Sequence, residues 1–392
     1  MAEEEHSFIL AGADPRLAGG RLTIDLHALT ANYHALQHLC PTASVAGVLK
    51  ADAYGLGAEF VAPALLKAGC KHFFVALPEE GRQLRKVAPD AAIFVLAGLF
   101  EAEAAPFYSD SRLIPVLNTE REIAIWEAHC GVVGEALPCA IHVDTGMNRL
   151  GLSIEQATAF AEDNALTEAV KPILLMSHLA VADNPLHPLN RRQIESFQKL
   201  RQSYGGIEAS LANSAGIFLG KGAHFDLTRP GIALYGGAPV AALQNPMLPV
   251  VTAEARIVQI RNVRAGESVS YGASVTLDRP SMIAVTSVGY ADGFMRSLSG
   301  SGVPLRSTIP EGGYGFAGGR RVPVIGRITM DLTMFDITDC EHDALQPGDF
   351  IELFGPNIPI DEAAEAAGTV AYELLTSLGA RWQRHFVGLD EG

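Results

Sequence analysis

The feature that most constrains the fold is the alternation of short apolar runs with helix-like segments in the first part of the chain. Eight apolar runs of strand length are bounded by polar turns, at residues 45–49, 72–76, 92–96, 113–117, 139–143, 173–177, 208–212 and 226–228. Strands that alternate with helical patterns indicate βαβ units and a parallel sheet. Eight such units over residues 21–244 fit a closed, TIM-like (β/α)8 barrel better than an open sheet. No GxGxxG follows the first run, so a dinucleotide-binding fold has no support.

The pattern changes beyond a proline-rich, uncharged segment at residues 230–253. Apolar and polar residues then alternate, as in ARIVQIRNV from Ala255, MIAVTSVGY from Met282 and GDFIELFG from Gly348. Alternation with a period of two is typical of half-buried strands. We therefore expect a mainly β C-terminal domain at residues 245–392, with a single late helix at residues 361–378.

Composition and charge argue against several classes of function. The 29 basic and 44 acidic residues leave a net charge of −15, which offers no basic face to nucleic acid or a membrane surface. The five cysteines form no CxxC pair, so we expect reduced thiols and neither a disulfide framework nor a metal site. The acidic start MAEEEHSF is unlike a signal peptide. The uncharged segment at residues 230–253 contains four prolines, so we interpret it as a linker and not as a membrane helix.

Reactive side chains follow the apolar runs directly, where a (β/α)8 barrel carries its active site. These side chains are Lys50, Asp144, Arg149, Ser177, His178, Asn213, Ser214 and Arg229. Among seven lysines, Lys50 alone closes an apolar strand. A lysine that loses hydration at a barrel mouth is suited to Schiff-base chemistry. Taken alone, however, a snorkelling lysine is the commoner interpretation of such a residue.

The loops after the seventh and eighth runs are the usual phosphate-binding positions of such barrels. They read ANSAG at residues 212–216 and RPGIALYGG at residues 229–237. Small residues let backbone N–H groups approach an anion closely, although two ordinary glycine-bearing loops would look the same. A lysine at the mouth together with a phosphate cradle is the outline of a pyridoxal phosphate site.

Nine motifs together resemble those of the fold-type III alanine racemases and follow that family's order between Arg21 and Arg384. They are KADAYGLG (residues 50–57), HVDTGMNRLG (142–151), SHLAVAD (177–183), NSA (213–215), RPGIALYG (229–236), VSYGA (269–273), SVGYADG (287–293), GRITMD (326–331) and AYELLTSLGAR (371–381). The resemblance implies a barrel followed by a β-domain, on which residues 1–20 pack. It also implies pyridoxal 5'-phosphate as cofactor, a cytoplasmic setting and a homodimer in which each active site borrows residues from the other subunit.

The resemblance assigns the acid/base groups of a two-base racemisation of alanine. Lys50 would hold the cofactor and serve one face of the substrate, and Tyr271 from the other subunit would serve the opposite face. A phenol is a poor base at neutral pH unless positive charge or hydrogen-bond donors stabilise the phenolate, and His178 and Arg229 would supply them. Arg229 would also donate to the pyridine nitrogen without protonating it, which weakens the ring as an electron sink and disfavours side reactions.

The same transfer assigns the remaining contacts. Those to the phosphate would come from Tyr54, Ser214, Gly231, Ile232 and Tyr372. Leu96 would line the cofactor pocket. Arg149 would bind the phenolic oxygen of the cofactor and the substrate carboxylate, Met330 would add its backbone N–H to that carboxylate, and Tyr290 would narrow the entrance.

Two positions depart from the family's pattern. Many members carry a lysine that can be carbamylated two positions before the aspartate of DTGM, where this chain has His142. No carbamate can form there, so Arg149 must be positioned by another group or by an anion. Leu56 replaces a common histidine, which should alter the lining near the phosphate without removing a catalytic group.

Other functions remain open at this point. A broad-specificity racemase, or a serine or basic amino acid racemase of the same fold, depends on a pocket volume that the sequence does not give. Arg229 argues against a barrel-type decarboxylase, and the β-domain with Tyr271 and Met330 argues against a non-catalytic carrier of the cofactor. Whether the product D-alanine supplies peptidoglycan precursors or the enzyme degrades it is also open.

Overall fold

The computed structural model describes residues 8–9, 14–300, 312–341 and 344–389. They divide into two compact units. One comprises residues 30–234 and 238–247, and the other comprises the described residues before Thr30, residues 235–237 and those from Leu248 onward. The strands are β1 Phe8–Ile9, β2 Gly20–Asp25, β3 Ser44–Val45, β4 Gly47–Val48, β5 His72–Val75, β6 Ala92–Val95, β7 Ile114–Leu117, β8 Pro138–His142, β9 Lys171–Met176, β10 Glu208–Ser210, β11 Leu227–Thr228, β12 Val251–Val263, β13 Ser268–Val269, β14 Val275–Thr276, β15 Ser281–Thr286, β16 Tyr314–Ala317, β17 Arg320–Pro323, β18 Thr333–Asp336, β19 Phe350–Phe354 and β20 Gln383–Val387. The helices are α1 Leu26–Leu39, α2 Lys50–Gly55, α3 Ala58–Lys67, α4 Pro78–Val87, α5 Ala105–Asp110, α6 Glu120–Val133, α7 Ile154–Glu162, α8 Asn164–Ala169, α9 Pro188–Arg201, α10 Ser214–Ile217, α11 Lys221–His224, α12 Ile360–Ala367 and α13 Ala371–Thr376.

The first of these units is a closed parallel barrel. Seven strands pair in the order β4-β5-β6-β7-β8-β9-β10. β3 pairs in parallel with β11 and is separated from β4 by Ala46 alone, whose N–H donates to Thr228 O at 2.9 Å. Arg229 N donates to Ala212 O at 2.9 Å, which joins the end of β11 to the end of β10. The expected (β/α)8 barrel is therefore confirmed.

Local signals in the sequence set the ends of the barrel helices. Thr119 Oγ1 accepts the N–H of Glu122 at the start of α6, and Gly134 ends that helix in the left-handed region with φ 77°. α9 begins with Pro188, whose fixed φ suits the first helical turn. Such caps stop each helix so that the chain returns to the sheet.

Apolar side chains fill the barrel. Phe73, Phe74 and Ile93 are fully buried, and the rings of Phe74 and Phe94 stack with their centroids 4.7 Å apart. Burying one such side chain stabilises the fold by about 1.5–3 kcal/mol. The barrel is therefore a packed core, and its chemistry belongs to the ends of the strands.

The second unit is built around a nine-stranded sheet, which confirms the mainly β C-terminal domain. The strand order is β1-β20-β2-β12-β19-β16-β17, and β15 pairs with both β12 and β18. β12 is central, because it pairs in antiparallel fashion with β2, β19 and β15. Phe8–Ile9 pair with β20, while residues 1–7 and 10–13 of the N-terminal segment lie outside the described part of the chain.

Two expected boundaries differ from the structure. The single late helix predicted at residues 361–378 is wrong, since α12 and α13 are separate helices. Gly368 ends α12 in the left-handed region with φ 68°, and Thr369 N donates to Ala364 O at 2.9 Å, which turns the chain before α13 begins. The division between the units also falls later than the expected residue 21, because β2 belongs to the sheet of the second unit.

Within the described ranges, no helix is long and apolar enough to cross a membrane. Residues 230–250 contain neither a helix nor a strand, in keeping with their interpretation as a linker.

Candidate active site

Lys50 follows the first barrel strand and begins a left-handed turn. Residues 51–54 have φ values between 52° and 58°, a region that disfavours non-glycine residues by roughly 1–2 kcal/mol each. Ala53 N donates to Leu49 O at 2.9 Å, and Gly57 N donates to Asp52 O at 3.0 Å. Strain of this kind persists where the surrounding structure enforces it, and it clusters at functional sites.

Glu80 supports this turn from the start of α4. Its Oε1 accepts the N–H of Ala51 at 2.7 Å, and its Oε2 accepts those of Ala76 at 2.7 Å and Leu77 at 3.0 Å. One carboxylate therefore ties the turn after the first strand to the end of the second. The sequence analysis missed Glu80, although a glutamate in the first turn of a helix after a proline is a recognisable capping signal.

The surroundings of Lys50 favour its neutral form. Burial lowers the pKa of Lys50, and the positive charge of Arg149 lowers it further, while the Glu80 carboxylate opposes both effects. A larger neutral fraction makes the amine a better nucleophile and proton acceptor.

Arg229, after the eighth strand, is buried and held at several points. It is 4% exposed, its Nη1 donates to Ser210 Oγ, and its Nη2 donates to Ser177 O at 2.6 Å. Burial lowers the pKa of Arg229 to about 9, so the guanidinium is still protonated at neutral pH. Nε makes no hydrogen bond to the described residues, which leaves its N–H available to a ligand.

His178 lies beside this guanidinium and is neutral. Arg229 Nη2 is 3.5 Å from His178 Nδ1. Burial, followed by the charge of Arg229 and then that of Arg149, holds the pKa of His178 well below its ordinary value. Because the charged guanidinium can only donate, we assign the ring proton to Nε2; Asn213 Nδ2, 3.5 Å from Nε2, is itself a donor, since Asn213 Oδ1 accepts the N–H of Gly216, so it makes no hydrogen bond to the protonated Nε2.

Four residues predicted to contact a phosphate come together between the first, seventh and eighth strands. Ser214 Oγ accepts the N–H of Gly231 at 2.9 Å and that of Ala233 at 3.3 Å. A Cβ at Gly231 would overlap the Tyr54 hydroxyl, so only glycine fits there. Ile232 is buried beside them. The result is a small cradle with hydroxyl and backbone N–H groups.

Arg149 lies on a loop that closes on itself after the fifth strand. Asp144 N donates to Leu152 O, and Leu152 N donates to His142 O, both at 2.9 Å. Asp144 Oδ1 accepts the N–H of Gly146 and that of Met147 at 2.8 Å each, which shapes the turn. The Arg149 side chain is exposed and makes no hydrogen bond or ion pair to the described residues, so it is free to meet a ligand.

Gln193, a residue that the sequence analysis missed, connects two mouth loops. It is fully buried, its Nε2 donates to His178 O at 2.9 Å and Thr145 Oγ1 at 3.2 Å, and its Oε1 accepts the N–H of Ala180 at 2.9 Å. Nothing in a single sequence distinguishes this glutamine from others on an amphipathic helix.

His142, the first departure from the family's pattern, is held by Asn118 and not by Arg149. Asn118 Nδ2 donates to Val116 O at 2.8 Å, so its Oδ1 faces His142 Nδ1 at 2.8 Å and accepts its proton. Nε2 is then an unprotonated acceptor. Burial, followed by the charges of Arg229 and Arg149, lowers the pKa of His142 to about 4. Leu56, the second departure, is fully buried.

Leu96 and the second unit supply the other predicted site residues. Leu96 N extends β6 by donating to Val75 O at 2.9 Å. Tyr271 follows β13 in a short 3-10 turn and is 73% exposed. Tyr290 and Met330 lie on neighbouring segments, and they and Tyr372 on α13 are also exposed. Exposed large side chains on adjacent segments, such as Tyr290 and Met330, are typical of an interaction surface.

The protein combines a (β/α)8 barrel, with a lysine and a buried arginine–histidine pair at its mouth, and a β-domain that follows the barrel. These features place it in the class of barrel enzymes with an added β-domain. Residues 24–239 match the family model for the N-terminal domain of alanine racemase, and residues 250–386 match the model for its C-terminal domain. The chain belongs to the alanine racemase family, as the motifs predicted.

Individual relatives agree with this assignment. The alanine racemase of Rhizobium meliloti is 52% identical over 95% of this chain and 97% of its own length. The biosynthetic alanine racemase of Agrobacterium fabrum is also 52% identical, over 95% of this chain and 94% of its own. The crystal structure of alanine racemase from Bartonella henselae with covalently bound pyridoxal phosphate matches with a TM-score of 0.87 and 38% identity, covering 94% of this chain and all of that one.

Proposed function

We propose that the protein is a pyridoxal 5'-phosphate-dependent alanine racemase that interconverts L-alanine and D-alanine as a homodimer with shared active sites. The observation that carries this proposal is the buried Arg229–His178 pair beside a lysine whose pKa is lowered. Membership of the family supports the reaction, and the Bartonella henselae relative supports the cofactor.

The residues at the barrel mouth fit this cofactor. The Tyr54, Ser214 and Gly231 cradle offers two hydroxyl groups as donors, and the missing side chain at Gly231 lets the Tyr54 hydroxyl come close to the loop that would hold a phosphate. When bound, pyridoxal phosphate supplies an aldehyde for the lysine amine and a conjugated ring that accepts the electron pair of the substrate's Cα–H bond. Lys50 would hold the aldehyde carbon, and Arg229 Nε would donate to the ring nitrogen while remaining protonated.

Racemisation requires an acid/base group on each side of Cα. Lys50 Nζ exchanges the proton on one face, and the phenol of Tyr271 of the partner subunit exchanges it on the other. The exposure of Tyr271, Tyr290, Met330 and Tyr372 in the single chain supports their delivery to a second subunit.

Arg229 and His178 adjust the basicity of this second group. His178 is kept neutral, and its Nε2–H donates to the phenolate of Tyr271 of the partner subunit. The positive charge of Arg229, on the other side of the His178 ring from the phenolate, also favours that anion. The pair thus stabilises a phenolate without transferring its own proton.

Arg149 and the second unit bind the substrate. The unengaged guanidinium of Arg149 meets the substrate carboxylate, to which the backbone N–H of Met330 of the partner subunit adds a donor. Tyr290 of the partner subunit narrows the pocket to a methyl side chain.

The proposal is tested by incubating the protein and pyridoxal phosphate in deuterated water with L-alanine, L-serine, L-lysine, L-arginine or L-ornithine separately. Chiral chromatography and mass spectrometry then follow the enantiomer ratio and the α-deuterium. We expect deuterated D-alanine, which Lys50→Ala abolishes and Tyr271→Phe reduces by about two orders of magnitude or more, the usual contribution of a positioned acid/base group.

Lys199→Ala, an exposed lysine on α9, is the matched control and should retain activity. Racemisation of serine or a basic amino acid with alanine left unchanged would contradict the substrate. Cofactor binding without turnover of any of the five amino acids would contradict the activity.

A further inference from the structure

Three segments of the second unit, each of which carries a predicted site residue, meet at one cluster of charged side chains. Asp292 lies two residues after Tyr290, Asp331 follows Met330, and Arg381 follows α13, the helix that carries Tyr372. None of these three charged residues is among the catalytic or binding residues described above.

Arg381 clamps the two aspartates at once. Its Nε and Nη2 donate to the two carboxylate oxygens of Asp292 at 2.6 and 2.7 Å, and its Nη1 donates to Asp331 Oδ1 at 2.7 Å. A bidentate arginine–carboxylate pair fixes orientation as well as distance. The Asp292 side chain is 6% exposed, so this carboxylate is a buried anchor.

The backbones of the segments are locked together around this clamp. Tyr290 N donates to Thr329 O and Ala291 N to Met330 O, both at 3.0 Å. Asp292 Oδ2 also accepts the N–H of Gly289 at 2.9 Å, and a Cβ at Gly289 would overlap the carbonyl oxygens of Thr329 and Met330. A movement of Asp292 is therefore passed to the segments that carry Tyr290 and Met330.

The third segment is joined to the same residue. Trp382 Nε1 donates to Asp292 O at 2.7 Å. A Cβ at Gly293 would overlap Ser377 O, just beyond the end of α13. Asp292 and its two neighbours in sequence thus contact both of the other segments.

We propose that Arg381 is a positioning residue for amino acid recognition: by clamping Asp292 and Asp331 it sets the placement of Tyr290 and Met330 as they are presented to a substrate. This inference rests on the proposed function, because it assumes that these two residues bind substrate. An arginine kept only for stability would instead affect cofactor loading, turnover and unfolding together.

The test compares Arg381→Gln and Arg381→Lys with wild type in kcat and KM for L-alanine, cofactor content from the absorption spectrum, and thermal unfolding. We expect Arg381→Gln to raise the KM about tenfold or more, with kcat changed less than about threefold and cofactor content unchanged. Lysine retains one charged contact but cannot form the bidentate pair, so Arg381→Lys should restore part of the loss in KM.

Arg279→Gln is the matched control, because Arg279 forms a comparable bidentate pair with Asp339 in the same unit, between exposed partners. It should leave the KM at the wild-type value. A KM for Arg381→Gln within twofold of wild type, or a KM that changes only in parallel with cofactor loss and unfolding, would overturn the inference. Absence of alanine turnover by the wild-type protein would overturn the proposed function itself, and the inference with it.

Discussion

Burial, together with the charges of Arg229 and Arg149, keeps both histidines at the barrel mouth neutral, and each histidine has a different neighbour that orients its ring. Arg229 faces His178 Nδ1, whereas Asn118 accepts the proton of His142 Nδ1. The two rings therefore carry their protons on opposite nitrogens. His142 does not hydrogen-bond Arg149, so this chain provides no protein group in place of a carbamylated lysine for that purpose within the described residues. We therefore expect the Arg149 guanidinium to be positioned by an anion, namely the substrate carboxylate.

The neutrality of His142 predicts a pH dependence of stability. Its pKa is about 4 in the folded protein against an ordinary 6.5. Between these values the unfolded chain binds more protons, so this contribution is present above pH 6.5 and is lost as the pH falls toward 4. From pH 7 to pH 5, the wild-type free energy of unfolding should fall by about 2 kcal/mol more than that of His142→Asn, measured by urea denaturation. His34→Asn, at an exposed position, should behave like wild type, and equal losses in wild type and His142→Asn would contradict the assignment.

α9 links the fifth and sixth strand loops through a single side chain. Gln193 binds Thr145, His178 O and Ala180 N, and the Gln193 side chain is itself fully buried. The helix thereby sets the spacing between the Arg149 loop and the His178 ring. The catalytic residues of a barrel lie largely on its loops, but a buried side chain on a helix can fix the positions of two of these loops.

Gln193→Ala should lower both stability and activity. It leaves an N–H and a carbonyl oxygen without a buried partner, which costs about 1–3 kcal/mol for each unsatisfied group. Because Gln193 no longer fixes the loops that carry His178 and Arg149, kcat/KM for alanine should fall about tenfold or more. The loss of stability is measured on the same protein, so that the two effects can be compared. Gln198→Ala, at an exposed position of α9, should change neither quantity. A fully active Gln193→Ala protein would show that the two loops hold their places independently.

Strand content and the barrel were predictable from the sequence because apolar runs and turn residues are local signals. All eight predicted runs became barrel strands, and Lys50, His178, Ser214 and Arg229 lie at their ends because the carboxyl ends of parallel strands meet at one rim. The break in the late helix was missed because a single glycine such as Gly368 is compatible both with a helix interior and with a left-handed cap, and the apolar pattern does not distinguish the two. Glu80, Gln193 and Asn118 were missed because each makes its decisive contact with a residue far along the chain, namely Ala51, His178 and His142, and no local pattern records such a contact.

Across the whole molecule, the predicted site residues fall into two sets on two compact units. Lys50, Arg149, His178 and Arg229 belong to the barrel unit, and Tyr271 belongs to the β unit with Tyr290, Met330 and Tyr372. If the proposed homodimer shares its sites, a twofold arrangement pairs the first set of one subunit with the second set of the other. A subunit that lacks Lys50 then still supplies an intact Tyr271.

This arrangement predicts complementation between inactive variants. Mixed dimers of Lys50→Ala and Tyr271→Phe subunits, isolated after co-expression, should have about half of wild-type activity, because each mixed dimer has one complete and one defective site. Lys50→Ala co-expressed with Arg229→Ala is the control, since both changes lie in the barrel unit and leave every mixed site defective. Activity is measured on mixed dimers isolated through two affinity tags. If neither pair of variants regains activity, each chain completes its own active site. If both pairs regain equal activity, the active sites are not shared in the way proposed here.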